Sequence, residues 1–299
     1  MLMLMTLLGV GLLAGVIIND SDDSDSAESG ANESGNEDNN EAVVEGTDGA
    51  DLLLGTIGSE TLLGGAGNDN IDARGGPDTI EGGAGDDTLD GGSADDNIFG
   101  GDGEDRMIGG NGDDFMRGNA GDDILIDARG ADHLVGGQGD DIILAAGILD
   151  EGAYEDLVQG RTPPPATVEE VNTLLNYDYT ADQDGEGDTI NAGAGDDAVL
   201  FGLNDTVTGG NGSDSFETGA WLSEDEQATI TDFTADDDRV VYYYDEDEEE
   251  PELDVVTRAN DDGGTDAFLV ANGEEVVRLI NAGTTFNLAE HVALVARGG

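Results

Sequence analysis

The side chains best placed to do chemistry in this chain are aspartates that recur every nine residues. From Gly46 to Leu144 the sequence divides without a gap into eleven nine-residue copies, such as GGAGNDNID from Gly64, GGAGDDTLD from Gly82, GGNGDDFMR from Gly109 and GGQGDDIIL from Gly136. The sixth position is always acidic: Asp51, Glu60, Asp69, Asp78, Asp87, Asp96, Asp105, Asp114, Asp123, Asp132 and Asp141. The fourth is glycine in every copy except at Ala94, and the eighth is always apolar, from Leu53 through Met107 to Ile143. Regularly spaced carboxylates with no thiol or imidazole interleaved are hard oxygen donors. They suit a cation such as Ca²⁺, which takes roughly six to eight oxygens from carboxylates and main-chain carbonyls.

The elements that must position these acids follow from the same period. Glycines admit positive φ and close backbone approach, so the first half of each copy can be a tight turn. The second half is a short strand whose alternation sends the eighth side chain inward. Two copies make one coil of eighteen residues, and coils stack as parallel strands about 4.8 Å apart. The sixth-position acids then fall in two columns. One holds Asp51, Asp69, Asp87, Asp105, Asp123 and Asp141; the other holds Glu60, Asp78, Asp96, Asp114 and Asp132. Neighbouring carboxylates about 5 Å apart repel by roughly 3 kcal/mol at an effective dielectric near 20. One apolar side chain per copy cannot offset that along the whole array. Calcium can, so ion binding and folding are expected as one linked event.

The rest of the chain divides around this array. Residues 1–18 are apolar and uncharged, followed by an acidic, polar stretch 19–45 expected to be a disordered tether. The first segment reads as a cleaved secretory signal or an uncleaved membrane anchor. The first basic residue is Arg74 and no clear A-x-A site follows Ile18, which favours the anchor. Residues 145–182 interrupt the repeat, and PPPATVEEVNTLLN within them reads as a proline turn, an N-cap at Thr167 and a short amphipathic helix. The frame returns over 183–217 in looser form, with Asp188, Asp197 and Asp214 in the sixth position and one copy, FGLNDTVT, a residue short. Residues 218–299 lose the repeat, and ATITDF, RVVYYY, AFLVANG and EEVVRLI read as strands of a β cap.

Composition excludes several classes of function. Seventy acidic residues face nine basic ones, for a net charge of −61, so phosphate would be repelled and no nucleic-acid partner is expected. There is no cysteine, hence no disulfide and no thiol nucleophile. Neither H-E-x-x-H nor G-x-S-x-G occurs, and the two histidines, His133 and His291, lie far apart. Trp221 and Tyr242–Tyr244 read as cap core. No enzyme is expected.

The repeat G-G-x-G-x-D-x-U-x resembles the RTX (repeats-in-toxin, haemolysin-type) calcium-binding family. The resemblance covers about 99 residues strongly and some 35 more weakly. It implies an all-β fold, a right-handed parallel β-roll carrying a helical insert and a C-terminal β cap. It implies ions held between copies n and n+2, with Asp51, Asp69, Asp78, Asp87, Asp96, Asp105, Asp114, Asp123, Asp132, Asp141, Asp188, Asp197 and Asp214 as ligands. Glu60 is a methylene longer than the family's aspartate. The first turn positions depart at Ala73-Arg74 and Asp127-Ala128, so sites using those turns are expected to be distorted or weaker. In the paired acids Asp86-Asp87, Asp113-Asp114 and Asp140-Asp141, only the second is expected to ligate. ATITDFTADDDRVVY and TDAFLVANGEEVVRLINAG resemble the family's end region, which a type I exporter reads. The expected function is a non-enzymatic, exported calcium-binding protein at the cell surface or outside it, tethered if residues 1–18 stay attached. The alternative is an adhesion or matrix protein that uses the roll as a rigid spacer.

Overall fold

The computed structural model describes residues 42–127, 129–145, 187–222, 227–247 and 249–297. The apolar segment 1–18, most of the acidic tether and the expected Thr167-capped helix lie outside these residues. Among the described residues no helix is long and apolar enough to cross a membrane.

Alternation between turn and strand builds two facing sheets, and from β1 to β18 successive strands go to opposite sheets. The first sheet runs in the order β1 (Ala42–Glu45), β3 (Glu60–Ala66), β5 (Thr79–Ala84), β7 (Asn97–Asp102), β9 (Phe115–Ala120), β11 (His133–Gln138), β13 (Thr189–Ala194), β15 (Thr206–Asn211) and β17 (Ala228–Ile230). It ends with β21 (Glu274–Leu279), β20 (Thr265–Ala271) and β19 (Leu253–Ala259). The second runs β2 (Leu52–Leu54), β4 (Asn70–Asp72), β6 (Thr88–Ser93), β8 (Arg106–Asn111), β10 (Ile124–Ile126) and β12 (Ile142–Leu144). It continues through β14 (Ala198–Leu200), β16 (Ser215–Gly219), β18 (Arg239–Asp245) and β22 (Val292–Arg297). Pairing is parallel at the expected eighteen-residue step, as in Leu62 with Ile80 and Ile80 with Ile98. The fold is an all-β parallel β-roll.

The eighth-position side chains meet between the sheets. Leu62, Ile71, Ile80, Leu89, Ile98, Met107, Met116, Leu125, Leu134 and Ile143 are all fully buried. At roughly 1.5–3 kcal/mol per buried aliphatic side chain, this ladder is the main apolar stabilisation of a coil. The turns hold left-handed conformations mostly at glycine. Arg74 (φ 72°), Ala94 (φ 82°) and Asn119 (φ 82°) adopt the same conformation with a side chain attached.

Three boundaries differ from the sequence expectation. The roll begins before Gly46: Val43 and Val44 of β1 pair with Thr61 and Leu62, and Val44 is buried where an eighth-position residue would lie. The array does not break at 145–182, because Leu134 pairs with Ile190 and Leu144 with Leu200. Coils on either side of the insertion stack directly, so 183–217 continues the first array rather than forming a second, looser one. The cap also begins as more roll. β17 and β18 stack in parallel on β15 and β16, and β21 and β22 stack on them in turn. Only the β19–β20 and β20–β21 pairs are antiparallel, the second closed by a two-residue turn at Asn272 (φ 52°) and Gly273 (φ 93°), the primed geometry that suits hairpin twist.

Trp221 packs against the core and its Nε1 donates to the Phe201 carbonyl at 3.3 Å, while Tyr242 is buried inside it. His291 lies on α1 (Leu288–His291), where its Nδ1 accepts from the Asn287 N–H at 2.9 Å and its ring stacks on Phe286. His133 is exposed, edge-on to Phe115.

Candidate metal centre

Each sixth-position aspartate ends a glycine turn and precedes a strand, so its height in the stack is fixed by the parallel register. Stacking places its carboxylate beside the coil before it. The Asp69 N–H donates to Asp87 Oδ1 at 2.8 Å, Asp87 to Asp105 at 2.9 Å, Asp105 to Asp123 at 2.9 Å and Asp123 to Asp141 at 2.9 Å. The other column repeats the bond from Asp78 to Asp96 at 2.8 Å, Asp96 to Asp114 at 2.7 Å and Asp114 to Asp132 at 2.8 Å. Both columns cross the insertion unbroken, from Asp132 to Asp188 and from Asp141 to Asp197, each at 2.8 Å. All thirteen aspartates singled out from the sequence are buried in these columns.

The bond uses one oxygen of each accepting carboxylate, and in eight of them the other has no donor. Oδ2 of Asp69, Asp87, Asp96, Asp105, Asp114, Asp123, Asp141 and Asp197 is buried with no hydrogen-bond partner. An isolated buried anion is among the costliest groups a protein can hold. These oxygens converge on the places where first-position glycines lack a side chain. A Cβ on Gly91 would lie 2.6 Å from Asp96 Oδ2 and 2.8 Å from the carbonyl oxygen of Gly109 on the next coil. Gly82, Gly100, Gly118 and Gly136 repeat this cradle of one carboxylate oxygen and one carbonyl oxygen. Orphaned anionic oxygens beside carbonyls fit a hard divalent cation, and calcium accepts that donor set. Residues holding the ion would be the Oδ2 donors, with first-position carbonyls beside them.

Electrostatics point the same way. Burial pushes Asp87 and Asp114 up to about 6, Asp96, Asp123 and Asp197 to about 7, and Asp105 and Asp141 to about 8. The backbone N–H bond to each lowers it, and neighbouring acids of the column raise it again. Asp188, pressed by burial and then by Asp205, reaches about 10. At neutral pH the metal-free columns therefore favour protons at Asp105, Asp141 and Asp188, which a cation there must displace.

The ends of the columns are built differently. Asp51 Oδ2 accepts from the Thr47 N–H at 2.6 Å and the Thr47 hydroxyl at 2.8 Å, and Thr56 ties the longer Glu60 side chain down in the same way. At the other end Asp205 Oδ2 accepts from the Gly202 N–H and Asp238 Oδ2 from the Thr234 N–H, both at 2.6 Å. Asp205 and Asp238 were not legible in the sequence. Asp205 sits in the shortened copy, seventeen residues after Asp188, and Asp238 follows Asp214 by twenty-four. Both nevertheless supply Oδ1 to the preceding coil, at 2.9 and 3.0 Å.

The fifth-position acids face solvent, as expected from alternation, but they are not idle. Asp86 Oδ1 accepts from the Glu104 N–H at 3.1 Å and Asp140 Oδ1 from the Asp196 N–H at 2.9 Å, an outer ladder of opposite sense to the buried one. The two irregular turns also behave differently from each other. Arg74 is exposed and reaches Asp72 at 3.7 Å, whereas Asp127 turns inward and is 1% exposed. Candidate ligand oxygens of Asp114, Asp127 and Asp132 lie within 4.8 Å of one another.

Comparison with known proteins bears on this arrangement. No curated protein matches the chain. Among solved structures it is similar to the R3 subunit of the AlgE6 mannuronan C5-epimerase from Azotobacter vinelandii, at 17% identity over 55% of this chain and 80% of that one, with a TM-score of 0.30. It is also similar to the extracellular lipase LipA of Serratia marcescens, at 14% identity and a TM-score of 0.23, over 85% of this chain but only 42% of the lipase. The model of the RTX calcium-binding nonapeptide repeat matches residues 45–80, 72–107, 81–116, 117–147, 184–203 and 204–220. Those residues build the two buried carboxylate columns up to Asp214, and over them the chain is an array of RTX calcium-binding nonapeptide repeats.

Proposed function

We propose that this chain is a non-enzymatic, exported calcium-binding protein whose roll folds when it meets calcium outside the cell, with the thirteen column aspartates supplying the ligands. The observation that carries the reading is the row of buried Oδ2 atoms without hydrogen-bond partners. No apolar contact compensates such a row, whereas calcium bridging of adjacent coils does. Sites of the 10⁻⁴ to 10⁻³ M class typical of extracellular modules are empty in a low-calcium cytosol and filled outside. The acidic charge keeps the unfolded chain extended and soluble until then.

The test is circular dichroism of the full chain during a calcium titration from chelator. A coil-to-β transition with a midpoint near millimolar calcium is expected. A β signal already complete in chelator removes the switch.

The uninterrupted stacking across the insertion supports a second reading, in which the roll is a rigid spacer presenting residues 146–186 to a surface or matrix partner. Deleting the insertion while measuring surface attachment separates the two, since a calcium switch alone leaves attachment unchanged.

A further inference from the structure

Outside the regular columns, the turn at Asp127 departs from the repeat. Its position in the repeat is held by glycine in nine of the eleven copies and by Ala73 in another. Here an aspartate occupies it and folds inward to 1% exposure, against Asp114 and Asp132 at 2% each. The room comes from Gly109 on the preceding coil: a Cβ there would overlap Asp127 Oδ2 and lie 2.7 Å from Asp114 Oδ2. Asp114 Oδ2 is buried, has no hydrogen-bond partner and points into this cluster. The nearby Arg129 does not fill the space, because its guanidinium donates to Asn111 Oδ1 at 3.2 Å on the exposed side.

We infer that Asp127 turns the Asp114–Asp132 pair into a three-carboxylate calcium site that is the tightest of the roll and fills first. Other cradles offer one column carboxylate oxygen beside one carbonyl oxygen, whereas here three carboxylates lie within ligand distance of one another. Affinity for Ca²⁺ rises with the charge count of the donor set, provided the ion is present to offset their repulsion. A turn that looks like a flaw in the repeat becomes the point from which ordering spreads to coils on either side.

The inference rests on the calcium reading above, and one experiment tests both. The full chain is titrated with calcium alone from chelator, by calorimetry and circular dichroism, as wild type, D127N and D127G, with D86N as an exposed control. D127G restores the residue most common at that position, so it keeps the inference testable if D127N fails to fold. Expected is loss of the tightest step in both Asp127 variants, with its affinity weakened about tenfold or more. The β signal at saturating calcium is unchanged, and D86N behaves as wild type. Unchanged or tighter first binding in D127N and D127G overturns the inference while leaving the calcium reading intact. Absence of calcium binding in the wild type overturns the reading itself.

Discussion

At the scale of single residues, the column aspartates are shared between protons and cations. Asp105 and Asp141 are raised to about 8 and Asp96 and Asp197 to about 7, all chiefly by burial. Between the ordinary carboxylate range and these values the metal-free roll binds protons that the unfolded chain has released. Its stability is therefore highest in acid and falls as pH rises through about 4 to 8. Calcium reverses the sense, because protons and ion compete for the same oxygens. The calcium midpoint of the β transition should therefore move to lower concentration from pH 5 to pH 8. A calcium midpoint that rises with pH contradicts the column electrostatics. The ten column aspartates from Asp51 to Asp141 were legible because the period alone predicts their stacking. Asp205 and Asp238 were not, since the column asks for a carboxylate at the right height above the last coil, not at a fixed spacing. A turn one residue shorter, with Asn204 left-handed at φ 65°, delivers Asp205 to that height.

At the scale of elements, the turn sets the register and the strand fills the core. Ala94 is the one fourth-position residue with a side chain, and it is held at φ 82°. That conformation costs an L-residue about 1–2 kcal/mol, which glycine avoids at some expense in unfolded-state entropy. Ala94→Gly should stabilise the calcium-loaded roll by about 1 kcal/mol, read as a higher denaturation midpoint at saturating calcium. A lower midpoint would mean that the methyl group packs usefully. The apolar eighth position predicted the buried face correctly because strand alternation is local. It did not reveal that first-sheet strands such as β5 continue through the next glycine pair, nor that β1 belongs to the roll. Val44 lacks the flanking glycines by which a copy is recognised, yet a parallel strand needs only backbone groups and one inward side chain.

At the scale of the molecule, the stack ignores sequence distance. Bonded column partners are normally eighteen residues apart, but Asp132 and Asp188 are fifty-six apart with the same 2.8 Å bond. One step of the column therefore contains about 38 more residues of chain than the others. Excising residues 146–183 restores the eighteen-residue step and keeps Ala145, whose N–H donates to Leu200. The shortened chain should undergo the same calcium-induced β transition, with its calcium midpoint within about twofold of wild type. Loss of the transition would show that the insertion takes part in folding. Sequence periodicity could not foresee this continuity, because a frame that lapses and returns is equally compatible with two separate rolls.

The buried ladder also has a direction. Every amide in it donates to an acid that comes later in the chain, and Asp51 Oδ1, with no described coil beneath it, is left without a donor. Removing coils from the N-terminal side thus leaves each remaining amide matched, whereas removing them from the C-terminal side strands the donors of the last surviving turns. Assembly that begins at the C-terminal end always offers a waiting acceptor to the next coil. Along this ladder a coil added on the N-terminal side meets a waiting acceptor, whereas a coil added on the C-terminal side brings the acceptor itself.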